Sequence, residues 1–184
     1  KRVQQACQVY LHQNPFIISA DIQTGIKILY DNPYAVGADR ICDASAVMHL
    51  YGGPACIVDF GTATTFNAVT AAGEYLGGAI TAGIGVAAEA LTSRTAKLPS
   101  VDLTLPPSPI GRNTIHALQS GLLFGYAALL EGMVSRFREE LGPDMKVIAT
   151  GGLVELIAPA TNVIQIVNPW LTLEGLRILW DMNH

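Results

Sequence analysis

The sequence feature that most limits the possible folds of this chain is a pair of β-prone runs joined by one short turn. Residues 55–60 (ACIVDF) and 64–70 (TTFNAVT) are separated only by Gly61, Thr62 and Ala63. Runs so close together predict a strand pair, which needs further strands or helices to be stable. Because helical and strand patterns alternate along the rest of the chain, the sequence predicts an α/β or mixed α/β fold.

Composition limits the kinds of partner that this chain can have. Its 184 residues suffice for one domain or two small ones, half of them are apolar, and only 14% are charged. The net charge of −4, with no run of Lys or Arg, argues against nucleic acid or an anionic membrane surface. Gly, Pro, Thr or a charge interrupts each apolar stretch, so we expect no membrane span and a cytoplasmic protein.

The cysteines and histidines do not indicate a metal site. Three cysteines and four histidines are far apart in sequence, without CxxC or HxxxH spacing. We therefore expect buried, reduced thiols and no metal held by Cys or His.

Local patterns predict several elements whose placement matters below. A helix is expected over 41–51, a flexible small-residue loop over 77–83, and a long helix over about 115–141, capped by Asn113 or Thr114. Short strands are expected at 16–19 and 26–30, and Thr172 is expected to cap the last helix. Gly121 and Gly125 lie four residues apart in the long helix, which indicates close helix packing inside the fold or between subunits.

Asp59 follows an apolar strand and precedes Gly61 and a group of threonine hydroxyls at Thr62, Thr64 and Thr65. An ordinary strand exit, with Asp59 capping a turn, explains this pattern. A site for an oxyanion or a cation explains it equally well, because it accounts for the clustered hydroxyls.

The pair Asp39-Arg40 stands where the next helix starts. A helix-start carboxylate beside a solvated cation is the simpler interpretation of the spacing. The functional interpretation is a general base with an adjacent positive charge, as phosphoryl transfer to an alcohol requires. The turn at 150–152 (TGG) follows a predicted strand and precedes a predicted helix. Its backbone amides could contact an anion, but packing is the simpler explanation of the two glycines.

In combination, these segments resemble the type III pantothenate kinases. The resemblance covers nearly the whole chain in the family's order. It rests on Tyr30 seven residues before GADR, then DFGTATTF, YLGGAI, RTAKLP, IGRNT, QSGLLFGY, ATGG and NPWLTLEGL. No GxxxxGK[ST] loop is present, in keeping with a family that binds ATP without one.

The resemblance implies a ribonuclease H-like actin/sugar-kinase fold, with mixed sheets flanked by helices and an incomplete first domain. Residues 1–54 would be the remainder of the N-terminal ATPase-type domain, carrying the substrate-base motif, and 55–184 the C-terminal one. It implies transfer of the γ-phosphoryl group of ATP to pantothenate, the first step of coenzyme A biosynthesis. It also implies a homodimer that uses K⁺ or NH₄⁺ together with Mg²⁺.

The resemblance also implies a role for individual residues of the site. Asp39 is the implied proton acceptor, Asp59 the ligand of the monovalent cation and Thr62 an ATP contact. The implied pantothenate contacts are Tyr30, Gly37, Ala38, Asp39, Arg40 and Thr114.

The chain departs from the family pattern in three places. The family's opening Asp-x-Gly-Asn-Thr phosphate loop is not found, so we expect it upstream of Lys1 and expect this chain alone to be inactive. Asn67 replaces the usual Asp, which removes a charge near the cation and nucleotide. Ala82 replaces the usual Pro, which predicts a looser loop.

Two other functions compete with the kinase. One is a non-catalytic regulatory protein of the same fold, similar to a transcriptional accessory factor. The other is a kinase for a different small alcohol. Asp39, Arg40, Asp59, Thr62 and Thr114 favour a kinase, because a binding protein needs no base beside its pocket.

Overall fold

The computed structural model describes residues 2–184, and one mixed sheet forms its centre. The six strands are β1 (Lys27–Ile28), β2 (Ala55–Phe60), β3 (Ala63–Val69), β4 (Glu74–Ala82), β5 (Lys146–Thr150) and β6 (Ile166–Val167), in the spatial order β1-β4-β3-β2-β5-β6. Strands β2, β3 and β4 pair antiparallel, while β1 joins β4 in parallel and β5 and β6 continue in parallel from β2. The predicted α/β class and the strand pair are confirmed.

Helices cover both faces of this sheet. They are α1 (Arg2–Leu11), α2 (Ala38–Leu50), α3 (Ile84–Arg94), α4 (Thr114–Leu141), α5 (Val154–Ile157) and α6 (Leu171–Asn183). Helices α2 and α6 pack on one face and α4 on the other, each over its own apolar core. Strand β2 supplies both cores because its side chains alternate: Ile57 points towards α2, and Val58 points towards α4.

Helix α4 is a core helix along one side only. Its N-cap is Asn113, as predicted, since Asn113 Oδ1 accepts a hydrogen bond from the His116 amide at 2.9 Å. By length and composition alone α4 could cross a bilayer, since its mean hydropathy is 1.3 over 18 residues. The expectation that every apolar stretch is too interrupted for this was therefore wrong. Its buried residues, Leu123 and Leu130 among them, pack against the sheet, as they do in the core helix of a globular protein.

The glycine-rich segment 77–83, predicted as a flexible loop, lies almost entirely in strand β4. Gly78 packs so closely against β3 that a Cβ there would overlap the Phe66 carbonyl. A Cβ on Gly77 would lie 3.0 Å from the ring of Tyr30. Small residues are needed here because other groups come close to the strand. Ala82 pairs with Ala63 and its carbonyl accepts from Tyr126, so it lies in a regular strand and not in a looser loop.

Two helix starts differ from prediction. Helix α2 begins at Ala38, three residues early, with Gly37 as its N-cap. Thr172 does not cap α6; the cap is Trp170, and the Thr172 hydroxyl donates instead to Asp43 Oδ1 on α2 at 2.7 Å. A long-range partner for the hydroxyl cannot be seen in a local capping pattern.

Two further predictions concern the first strand and the thiols. Residues 16–19 form no strand, so that prediction was wrong, and only Lys27–Ile28 of the second predicted strand is one. Cys42 and Cys56 are buried as expected, whereas Cys7 is only partly buried. Burial raises the pKa of the Cys42 and Cys56 thiols to about 12. Thiols with so high a pKa are inert as nucleophiles at neutral pH.

Candidate functional site

The start of helix α2 presents a carboxylate to solvent. Asp39 lies in the first turn and is exposed, and its Oδ1 accepts a hydrogen bond from the Arg40 amide at 2.9 Å. A Cβ on Gly37 would overlap that oxygen, so the backbone before the helix is open only because this residue is glycine. The positive end of the helix stabilises the ionised form of a carboxylate placed there.

Arg40 extends the same surface towards the edge of the sheet. Its guanidinium carbon lies 6.0 Å from the centre of the Tyr30 ring, within cation–π range. Tyr30 in turn lies 6.4 Å from the ring of the buried Tyr75. The Tyr75 hydroxyl donates to Asn67 Oδ1 at 2.9 Å. Asn67, which was expected near the cation and nucleotide, therefore holds the Tyr75 ring against which Tyr30 packs.

Asp59 lies in the central strand β2, half-buried, on the face that α2 covers. Its neighbours in register are Thr65 on β3 and Thr150 on β5. Gly151, with φ +97°, packs so closely against Asp59 Oδ1 that no Cβ would fit. Burial raises the pKa of the Asp59 carboxyl, and the charge of Asp39 raises it further. The two predicted carboxylates therefore lie within electrostatic range of each other.

The three threonines near Asp59 do not form one group. Thr65 shares the Asp59 face and accepts a hydrogen bond from Asn67 Nδ2 at 2.9 Å. Thr64 points to the opposite face, where its hydroxyl donates to the Tyr126 oxygen at 2.6 Å, because the single Tyr126 hydroxyl proton goes to the Ala82 carbonyl. Thr62 lies in the exposed turn between β2 and β3. Strand alternation thus removes Thr64 from the candidate site and gives it a structural role.

An open cleft of about 530 Å³ adjoins this turn. Its lining comes from the β2–β3 turn, the first turns of α3 and the segment after β5: Phe60, Gly61, Thr62, Gly85, Val86, Glu89, Gly152 and Leu153. The predicted Thr62 and the TGG turn at 150–152 thus meet at one cleft. Glu89 was not predicted, because a single carboxylate in a helix carries no signal until the helix is placed.

Thr114 is not brought to the other predicted substrate contacts. It starts α4, on the face of the sheet opposite α2, and it is exposed. Within residues 2–184, no hydrogen bond joins Thr114 to Tyr30 or to residues 37–40. The same residues contain no group of three His, Cys, Asp or Glu side chains placed to hold a metal ion.

Sequence reasoning also missed Asp43. It lies one turn after Asp39, is fully buried, and accepts from Thr172. The pKa of the Asp43 carboxyl is raised to about 7, mainly by burial. The hydrogen bond from Thr172 lowers this pKa, and the negative charges of Asp59 and Asp39 raise it. Its spacing of four residues from Asp39 was the available signal, because residues so spaced share a helix face.

Comparison with known proteins shows which family and which solved structure this chain is similar to. The family model described as type III pantothenate kinase matches residues 1–136. A type III pantothenate kinase from Roseiflexus sp. (strain RS-1) is 51% identical over 178 residues, which are 97% of this chain and 70% of that protein. A crystal structure from Campylobacter jejuni, of a protein named for the Baf family of transcriptional activators, matches with a TM-score of 0.61. It is 20% identical and covers 86% of this chain and 68% of that one, so it shows a shared fold only and lends no support to the regulatory alternative.

Proposed function

This chain belongs to the type III pantothenate kinase family, and on that premise we propose how its residues serve the reaction. The protein is a kinase that transfers a phosphoryl group from ATP to pantothenate in coenzyme A biosynthesis. The observation that carries the residue assignments is that the exposed Asp39 and the half-buried Asp59 lie on the same side of the sheet, while the turn after Asp59 brings Thr62 to the cleft.

Asp39 is the proposed general base. As the primary hydroxyl oxygen of pantothenate attacks the γ-phosphorus of ATP, the hydroxyl proton passes to the Asp39 carboxylate and ADP leaves. Its exposure lets an alcohol reach it, and its place in the first helical turn sets the carboxylate at the positive end of the helix. Nothing else in this step requires covalent chemistry from the protein, so positioning carries most of the catalysis.

The proposed pantothenate pocket surrounds Asp39. The backbone of Gly37 and Ala38 allows close approach, and the Tyr30 ring forms a wall that the Arg40 guanidinium faces. Arg40 also supplies positive charge for the transferring phosphoryl oxygens.

The cleft beside Thr62 is the proposed ATP site, and Asp59 the proposed ligand for K⁺ or NH₄⁺. Asp59 supplies a carboxylate, its neighbours in register Thr65 and Thr150 carry hydroxyls, and hard cations prefer oxygen ligands of these kinds. A monovalent cation held by Asp59 would offset charge near the triphosphate, and Mg²⁺ would supply further positive charge to the phosphate oxygens. Mg²⁺ needs only one or two protein carboxylates, so the chemistry of this donor set fits it.

Helix α4 supports the proposal of a homodimer. Gly121 and Gly125 face outward, and a Cβ at either would meet no atom within 4 Å, so neither packs closely against another segment of residues 2–184. A second helix packing on this stripe would explain both glycines. We place Thr114 in the pantothenate pocket through the same dimer, because within one chain it lies across the sheet from Asp39.

The architecture supports the proposal of a ribonuclease H-like actin/sugar-kinase fold. Three antiparallel strands, β2–β4, continue into the parallel β5 and β6, and helices cover both faces. The proposed division falls at residue 54, so that 55–184 form the C-terminal ATPase-type domain. We further propose a cytoplasmic protein without nucleic-acid or membrane partners, in keeping with its net charge of −4.

A coupled assay of ATP consumption by the full-length protein tests this proposal. We expect turnover with pantothenate and ATP that depends on K⁺, and no turnover with Na⁺ alone. Absence of turnover with every monovalent cation would reject the kinase assignment. Faster turnover with another small alcohol than with pantothenate would point to a different substrate.

A further inference from the structure

The buried carboxyl of Asp43 is the polar group that the proposed mechanism leaves unexplained. It lies on the inner side of α2, with an exposed fraction of 0%. Oδ1 accepts the Thr172 hydroxyl at 2.7 Å, while Oδ2 is buried and has no hydrogen-bond partner within residues 2–184. Burying a carboxyl with one oxygen unsatisfied is unfavourable, so its presence calls for a reason.

Asp43 lies where α6 packs closely against α2. Gly175 lies one turn after Thr172 on α6, and a Cβ there would overlap the carbonyl of Cys42, the neighbour of Asp43. Close packing at Gly175 fixes the distance between the two helices. The directional bond from Thr172 to Asp43 fixes the rotation of α2 about its axis, since a turned helix would break it.

The rotation of α2 determines where the proposed base lies. Asp39 and Asp43 are four residues apart, so they lie on one side of the helix, the first at its open end and the second in the core. The charges of Asp39 and Asp59 both raise the pKa of Asp43, which places all three carboxyls in one electrostatic neighbourhood. A small turn of α2 would therefore change the position of Asp39 relative to Asp59.

We propose that Asp43 and Thr172 are a positioning pair for phosphoryl transfer, whose hydrogen bond holds α2 in the rotation that aims Asp39 at the substrate hydroxyl. The inference rests on the proposed role of Asp39 as general base. Neither residue contacts substrate. Helix α6, far along the chain from Asp39, thereby becomes part of the catalytic framework.

Replacing Thr172 by Val tests the pair in the full-length protein, because Val keeps the shape and removes the hydroxyl. We expect kcat to fall by about tenfold to a hundredfold, as a misplacement of about 1 Å can cause. KM for ATP should change less than about twofold, because the cleft lining lies outside α2 and α6. Thr172→Ser, which keeps the hydroxyl, should restore kcat to within about threefold of wild type.

Thr161→Val is the matched control. Thr161 also donates to a carboxylate on another element, Glu131 Oε1, at 2.8 Å, but this pair is exposed and lies outside the proposed site. We expect its kcat to stay within about twofold of wild type. Equal small effects of both valine variants, or no rescue by Thr172→Ser, would overturn the inference. So would a loss of kcat in Thr172→Val that matches the loss of folded protein by circular dichroism.

A comparison of Asp43→Val with the double variant supplies the test if Thr172→Val alone does not fold. The variant Asp43→Val with Thr172→Val replaces both partners by apolar groups, which a core tolerates better than one orphaned partner. If the two residues act as a pair, the double variant loses no more kcat than Asp43→Val alone, whereas a further loss of kcat on adding Thr172→Val would contradict the pair. Wild-type protein is assayed beside each variant, so a failure of the proposed function would appear as absent wild-type turnover.

Discussion

Asp59 Oδ1 lies against the backbone of Gly151, so the turn after β5 closes directly on the carboxylate of β2. The two residues are far apart in sequence and meet because β2 and β5 pair in parallel, with Asp59 opposite Thr150. This contact joins two segments that local sequence patterns could only describe separately.

Replacing Gly151 by Ala should destabilise the fold. The residue has φ +97°, and a Cβ there would overlap Asp59 and Phe60. We expect a loss of about 1–3 kcal/mol in the free energy of unfolding, measured by urea denaturation. Gly152→Ala is the matched stability control, since a Cβ there meets no atom within 4 Å and should change this free energy by less than about 1 kcal/mol. Equal losses in both variants would contradict the steric explanation.

Replacing Asp39 by Asn should remove the proposed proton acceptor while keeping the size of the side chain. We expect kcat/KM for pantothenate to fall by about 10²–10⁴, the usual contribution of a general base. Asp31→Asn alters an exposed carboxylate in the preceding loop and should leave kcat/KM within about twofold. A fall of less than about tenfold in Asp39→Asn would assign the base to another group.

Replacing Asp59 by Asn should weaken activation by K⁺. The half-buried carboxylate provides the only full negative charge that we assign to the monovalent site. We expect the K⁺ concentration for half-maximal activity to rise by about tenfold or more, with a smaller change in KM for pantothenate. Titration of activity with KCl at constant ionic strength measures both. An unchanged K⁺ response would place the cation elsewhere.

The buried Asp43 should make stability fall as pH rises. Its pKa is about 7 in the fold, against an ordinary value of 3.8 for a solvated Asp, so between these values the folded state holds a proton that the unfolded state has lost. The free energy of unfolding therefore decreases by up to roughly 1.4 kcal/mol per pH unit from about pH 4 to 7 and levels off above. Urea denaturation of wild type and Asp43→Asn at pH 5, 6, 7 and 8 should show this slope in the difference between them. Parallel curves would show that Asp43 titrates alike in both states.

Replacing Gly125 by Leu should prevent the proposed dimer. The new side chain would project from the outward stripe of α4 into open space within one chain, so the fold itself should persist. Sedimentation velocity should then report monomer where wild type is a dimer. Ser135→Leu, at another exposed position of α4, should leave the dimer intact. A dimer in both variants would place the interface on another surface.

The parts of the fold that could be predicted from sequence are those fixed by neighbouring residues. The apolar runs before and after Gly61 correctly predicted strands β2 and β3, and the Asn113 cap correctly predicted the start of α4. The glycines at 77–83 were misjudged, because flexibility and close packing favour the same residue type. Which one applies depends on Phe66 and Tyr30, which are distant in sequence.

The candidate site, like the fold, could be predicted from sequence only in part. Motifs placed Asp39 and Asp59 as candidates, and the contacts between elements remained hidden from the sequence. Asp43 looked like an ordinary helical residue until α6 brought Thr172 to it, and Thr64 looked like a ligand until strand alternation turned it towards Tyr126. Such assignments depend on which elements become neighbours, and local patterns do not contain that information.

The placement of Asp39 on a helix and Asp59 in the central strand has a consequence for how such enzymes can diverge. Asp59 is fixed by backbone pairing on both sides, whereas Asp39 and Arg40 belong to helix α2, which packs on the sheet through side chains. Substitutions in α2 and in the loop before it can reshape the alcohol pocket without disturbing the strands beneath. A lineage built on this framework can therefore acquire new acceptors while its phosphoryl-donor chemistry stays unchanged.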